Sequence, residues 1–211
     1  MVIGRILTIV FWILFLGLFI SMAIPKFVDF VRMGWPDYMG PTWLNNRLWF
    51  LLHMTFGTVV YVAGFIQFNS YIRNNYIRFH RKVGKLYILS SLICITTLFR
   101  MLPDGMCVAC RPSQYMVTCL WLLFVVLAYV FIRQRRIVLH QRMMILSYIC
   151  AAYFVTVRVV DRYTMNFFRS VFNDEPTALL ISDLSVWVIP IAFAGIFWLI
   201  TNKRKLIAHS A

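Results

Sequence analysis

Residues 115–132 read YMVTCLWLLFVVLAYVFI, residues 133–142 read RQRRIVLHQR, and residues 143–160 read MMILSYICAAYFVTVRVV. This stretch decides the fold. Tyr115–Ile132 holds no charged side chain. About 20 mostly apolar residues let an α-helix cross a hydrocarbon core roughly 30 Å thick. The apolar residues run continuously rather than in alternation, which favours helices over the strands of a membrane barrel. The middle segment carries Arg133, Arg135, Arg136 and Arg142 and no acid. Met143–Val160 is a second apolar run with a single charge, Arg158. The reading is two membrane helices joined by a basic turn.

Four more runs extend this pattern to both sides: Ile6–Ile24, Leu48–Phe68, Leu86–Leu102 and Leu184–Asn202. The last contains Pro190, which is tolerated in a spanning helix and usually kinks it. The expectation is an all-α, polytopic bundle of six transmembrane helices, forming one transmembrane domain over residues 1–211. The first run is read as a retained helix rather than a cleaved signal peptide, because it is longer than a usual signal core. Asp161–Asp183 is read as a long mixed-charge loop lying partly on the membrane.

Composition agrees. The 211 residues are 62% hydrophobic and 13% charged, against roughly 45–50% and about 25% in a soluble domain. These figures exclude a soluble fold, a disordered chain, a disulfide-dense scaffold and a coiled coil. The formal net charge of +14 would suggest nucleic acid in a soluble protein. Here it sorts by side. The N-terminus, Asn69–Lys85, Arg133–Arg142 and the C-terminal tail hold thirteen positive charges and no acid. The other side holds eight positive charges and all seven acids. Lys and Arg accumulate in cytoplasmic loops, so both termini are placed in the cytoplasm, and nucleic acid is not expected as a partner.

Polar groups inside the runs are the functional candidates, since ionisable residues in a membrane are costly and face a cavity or a partner. At 1.5 Å per residue, Arg100 and Arg158 lie about 21–23 Å beyond the basic starts of their helices. His53 lies about 8 Å inside the opposite end of its own run. The three form a candidate outer polar layer for a quinone, another anionic or carbonyl-bearing molecule, or a water path. Arg158 and Asp161 are three apart on one helical face and are read as a pair. Arg100 has no evident acidic partner within its run. Snorkelling of both arginines to the headgroups is the plainer reading.

His80 and His140 share the basic boundary. Two imidazoles at equal depth on neighbouring helices suit a b-type haem, as axial ligands. Arg81 and Arg142 would then meet its propionates. The plainer reading is that both histidines only anchor helix ends. Gln67 is read as ordinary interfacial polarity. Each of these two helices is introduced by His, then Arg, then Tyr, and ends near an Arg, which suggests two related hairpins. Cys107-Val108-Ala109-Cys110 admits three readings: a short-loop disulfide, free thiols, or a thiol-exchanging pair. No second cysteine pair accompanies it, so zinc is not expected, and no other metal site is read.

The order His53, Gly64-Phe65-Ile66-Gln67-Phe68, His80-Arg81 with Gly84 and Tyr87, Trp121, His140 with Arg142, Met144 and Tyr148, and Arg158 resembles bacterial membrane proteins grouped as domain-of-unknown-function family 2306. The pattern departs at Lys85, where Arg is expected, at Gln141, where a basic residue is expected, and in the CxxC loop. The resemblance implies a polytopic helical fold and a bacterial inner membrane. It carries no activity, and it ties His53, His80, His140 and Arg158 into one set. The functional expectation is a haem-binding electron carrier or redox subunit with a quinone-like or substrate site. The alternatives are a small transporter or channel with a His/Arg-lined path, and an accessory subunit of a membrane complex. No catalytic residue is assigned.

Overall fold

The computed structural model describes residues 47–104 and 107–210, with isolated positions between 10 and 28. Among the described residues there is no strand. Six helices follow in order: α1 Arg47–Phe68, α2 Ser70–Asn75, α3 Ile77–Met101, α4 Arg111–Arg133, α5 Ile137–Val171 and α6 Glu175–Ser210. A 3-10 turn, Leu102–Asp104, extends α3. Among the described residues, five of these helices are long and apolar enough to cross a membrane, all except α2. About half of the run Ile6–Ile24 lies outside the described residues. Its described positions are helical, and Phe19 stacks on Tyr61 of α1 with ring centroids 4.1 Å apart.

The chain forms two compact units, Met1–Met106 and Cys107–Ala211. In the first unit α1 packs on α3. Asn69 makes the reversal short by capping α2. Its side-chain oxygen accepts from the backbone N–H groups of Tyr71 at 2.9 Å and Ile72 at 3.3 Å, two donors the first turn leaves without helical partners. The pair is held by Val60, Tyr61, Ala63, Tyr87, Cys94 and Leu98, all buried. A Cβ on Gly57 would stand 3.9 Å from Cys94 Sγ, an ordinary van der Waals contact.

In the second unit α4 packs on α5, and α5 on α6. Its core includes Val117, Trp121, Ala128, Cys150, Tyr153 and Trp187. The turn between α4 and α5 is a Schellman motif. Arg136 N–H donates to Phe131 O at 2.9 Å and Arg135 N–H to Ile132 O at 3.1 Å. That geometry puts the residue after the cap in the left-handed region, where glycine is usual. Here it is Arg135, with φ 61°.

The helices outrun the apolar runs. The third expected helix began at Leu86, but α3 starts at Ile77. The fifth was expected over Met143–Val160, but α5 covers Ile137–Val171. Asp161–Asp183 is not a loop: α5 continues to Val171 and α6 starts at Glu175. Hydrophobicity marks only the bilayer-thick part of a helix. Nothing in Arg162–Val171 breaks it, since the segment has neither Gly nor Pro. At 1.5 Å per residue, α5 is about 52 Å long, well beyond a hydrocarbon core of roughly 30 Å.

Burial is inverted relative to a soluble protein. Phe193 is 71% exposed and Ile189 64% on α6. Water would not tolerate so continuous an apolar face, whereas lipid does. Pro190 sits on this helix without ending it.

Candidate functional site

The second unit buries a carboxylate. Asp183 of α6 is 2% exposed, and its Oδ1 accepts from Tyr153 Oη of α5 at 2.6 Å. The second oxygen, Oδ2, is buried without a hydrogen bond of ordinary geometry, with the Ser113 side chain of α4 beside the carboxyl. Ser113 Oγ itself accepts from Trp187 Nε1 at 2.9 Å. Trp187 lies one helical turn after Asp183, so α6 presents both to the other two helices. Eight residues after Tyr153, two turns along the same face of α5, Asp161 accepts from Ser182 Oγ at 3.3 Å.

Arg158 lies between these groups in sequence. Its charge acts on Tyr153, Asp161 and Asp183. It makes no contact ion pair with Asp161; the expected pairing is replaced by interaction through space. The contact ion pairs among the described residues are Arg100–Asp104 and Arg169–Glu175. The centre thus assembles two carboxyls, a phenol and one guanidinium from α5 and α6, with Ser113 of α4 beside Asp183; Asp183 is buried, Asp161 half-buried and Arg158 exposed. Buried ionisable groups of this kind mark functional sites in membranes more often than structural ones.

Other sequence candidates have local partners. Arg100 does have an acid: Nη1 meets Asp104 Oδ2 at 3.2 Å, because the 3-10 turn brings residue i+4 back beneath it. In the first unit His53 Nδ1 lies 3.2 Å from Thr97 Oγ1. Thr97 already donates its hydrogen to Cys94 O at 2.7 Å. The imidazole must therefore be the donor, which places the hydrogen on Nδ1. His140 Nδ1 likewise donates to the Ala128 carbonyl at 2.8 Å, since a carbonyl can only accept.

The related-hairpin reading has a structural counterpart. His80 and His140 are each the fourth residue of their helices, α3 and α5. Each tethers its helix to an earlier long helix, α3 to α1 and α5 to α4, by different atoms. Gln67 Nε2 of α1 donates to the His80 backbone carbonyl at 2.8 Å, whereas His140 uses its ring. Gln67 is buried, so it is more than interfacial polarity. Gly84 makes room for it: a Cβ there would stand 3.4 Å from Gln67 Oε1. Arg142 bonds Asn202 Oδ1 at 3.0 Å and lies 5.2 Å from the Trp198 ring centre, and Arg81 is exposed. Cys107 and Cys110 are joined by a disulfide.

Sequence reasoning missed Tyr153, Asp183, Ser113, Trp187 and Ser182. Asp183 was assigned to a loop because it precedes the apolar run by one residue. The available signal was spacing: Asp183 and Trp187 are four apart, and Tyr153, Val157 and Asp161 are each four apart.

A family model described as a predicted membrane protein, DUF2306, matches residues 50–198. That range contains both histidine-bearing hairpins and every member of the buried carboxylate centre. No curated protein and no solved structure matches the chain.

Proposed function

The chain belongs to the DUF2306 family of predicted membrane proteins, and we propose that it is a small proton-handling transporter of a bacterial inner membrane, working through Tyr153, Arg158, Asp161 and Asp183. One observation carries this reading: the buried carboxyl of Asp183, held by Tyr153, with the half-buried Asp161 and the exposed Arg158 on the neighbouring helix. Fully ionised, the centre carries one uncompensated negative charge. An unpaired charge away from water costs several kcal/mol. Binding one proton restores neutrality, and so does exchanging it for a cationic solute.

Each residue has a part in that cycle. Asp183 holds the proton. Tyr153 donates to Oδ1 and fixes the carboxyl, leaving Oδ2 as the protonation site. Arg158 stands between Tyr153 and Asp161 on α5, and its guanidinium offsets one of the two carboxylate charges. Asp161 is the second acceptor along α5, and Ser182 orients it. With the basic segments in the cytoplasm, the centre lies toward the outer part of α5.

Proteoliposomes with a pH-sensitive dye inside test the reading. Wild type is expected to dissipate an imposed pH gradient, and Asp183→Asn to reduce the rate at least tenfold. Infrared difference spectra taken across the titration should show a protonated-carboxyl C=O band that Asp183→Asn removes. Equal rates in wild type and variant, with no such band, would sink the proposal.

A second reading rests on His140. Its Nδ1–H bond to Ala128 orients the ring and leaves Nε2 available in kind to a metal, the usual arrangement of a ligating histidine. We propose His140 as a ligand of a b-type haem in that case, with redox function and a quinone as its partner. Against its propionate assignment, Arg142 is already held by Asn202 and Trp198. Protein purified after haem supplementation and lacking a Soret band would dismiss this second reading.

A further inference from the structure

We propose that Cys107 and Cys110 form a thiol–disulfide exchange site for dithiol partners, with Cys107 the sulfur that is attacked. The pair stands immediately before α4, and Cys110 is the residue that caps it. The two sulfurs differ in access. Cys110 is 6% exposed, whereas Cys107 is half-exposed. They differ also in electrostatics. The Cys110 backbone N–H donates to Cys107 Sγ at 3.2 Å. Cys107 therefore has a hydrogen-bond donor ready for a thiolate, next to the positive end of a 23-residue helix whose first residue is Arg111. An accessible sulfur with a stabilised thiolate, backed by a buried one, is the division of labour that exchange requires.

A purely structural bridge explains less. The bond closes a ring with a sequence separation of three. Constraint of the unfolded chain grows with loop length, so so short a ring gains little stability from its closure. The turn also has its own backbone bonds, Arg111 N–H to Val108 O at 3.3 Å and Gln114 N–H to Cys110 O at 3.0 Å.

The exchange balances with a partner dithiol as the only co-reactant. One partner thiolate attacks Cys107 Sγ, a mixed disulfide forms, and the Cys107–Cys110 bond breaks. Cys110 leaves as thiolate and takes a proton. The partner's second thiolate then attacks the mixed disulfide, closing the partner's own disulfide and releasing Cys107 as the stabilised thiolate. Two electrons pass from the partner to the pair. The reverse sequence oxidises the partner. The proposal does not rest on the carboxylate centre, although Ser113 lies in the same first turn of α4, and its test does not read proton flux.

The test uses full-length protein in detergent. After reduction, limiting iodoacetamide and peptide-resolved mass spectrometry should show Cys107 alkylated at least tenfold faster than Cys110. Its half-maximal rate should fall at a pH below the value of about 8.5 for an ordinary cysteine. With oxidised glutathione as probe, Cys110→Ser should capture a mixed disulfide on Cys107, and Cys107→Ser should capture at least tenfold less on Cys110. Equal alkylation rates would overturn the proposal, as would a native bridge that excess dithiothreitol fails to open. The alkylation and reduction arms use the unsubstituted chain, so they decide the matter even if a serine variant does not fold.

Discussion

At the scale of single residues, two positions show a local rule giving way to something else. Arg135 occupies a left-handed site, where a side chain costs roughly 1–2 kcal/mol that glycine avoids. Arg135→Gly should therefore stabilise the second unit by about 1 kcal/mol, after allowance for the greater freedom of an unfolded glycine. Thermal unfolding in detergent reads this directly; a lower melting temperature would contradict it. Gln67 shows the opposite case, a polar side chain that an apolar position would exclude unless it were bonded. Gln67→Leu removes the donor to the His80 carbonyl. Interhelical hydrogen bonds in membranes average about 0.6 kcal/mol and reach about 1.7, so the loss should fall in that range. Amide exchange near the start of α3 should rise in the same variant. Neither residue could be judged from sequence, because its role depends on which carbonyl or turn lies opposite.

At the scale of elements, the runs of apolar residues located the membrane-crossing helices but not their ends. Leu48–Phe68 and Tyr115–Ile132 come within a few residues of α1 and α4. The misses cluster where a helix leaves the apolar region, as at Ile77 and Val171, since hydropathy reports solvent rather than backbone conformation. Asp183 was lost for that reason, and the centre of the site with it. The junction of α5 and α6 is a three-residue turn ended by Asp174, which caps α6: Thr177 N–H donates to its Oδ2 at 2.8 Å. Hydrogen bonds from Thr177, first from its side chain and then from its backbone, hold the Asp174 carboxyl below its ordinary value. A carboxyl depressed in the folded state stabilises above its unfolded value, near 4, and loses that contribution as the pH falls through the folded value. Protection of the Thr177 amide should thus decrease on acidification below about pH 4. In Asp174→Asn the protection should be weaker at neutral pH and nearly independent of acid. An acid-insensitive wild type would refute the cap.

At the scale of the whole molecule, the positive charges that looked like a nucleic-acid signature are organised by segment. Arg78, Arg81, Lys82 and Lys85 fall in the opening turns of α3, and Arg133, Arg135 and Arg136 fall at the turn into α5. Reporter fusions after Lys205 and in the turn at Gln134 should both report a cytoplasmic location, and one placed at Asn173 an outer one. A reporter at Gln134 found outside would reverse the orientation and, with it, the compartment assigned to the Cys107–Cys110 bridge. The helical class was legible because an uninterrupted run such as Tyr115–Ile132 has no other stable state in lipid. The carboxylate centre was not, because it is drawn from three helices, and Asp183 and Ser113 stand just outside the apolar runs of theirs.

The Schellman turn at Arg135 has a consequence for biogenesis. A reversal this tight gives α4 and α5 no slack to enter a bilayer one after the other as independent segments. With three arginines at the reversal, the expectation is that the pair goes in as a single looped piece, its tip staying on the synthesising side if the basic segments are cytoplasmic. The opposite ends of both helices, carrying Cys110 and Asp161, are then delivered across the membrane in one event, so a cell cannot make this protein with its cysteine bridge on one side and the far end of α5 on the other.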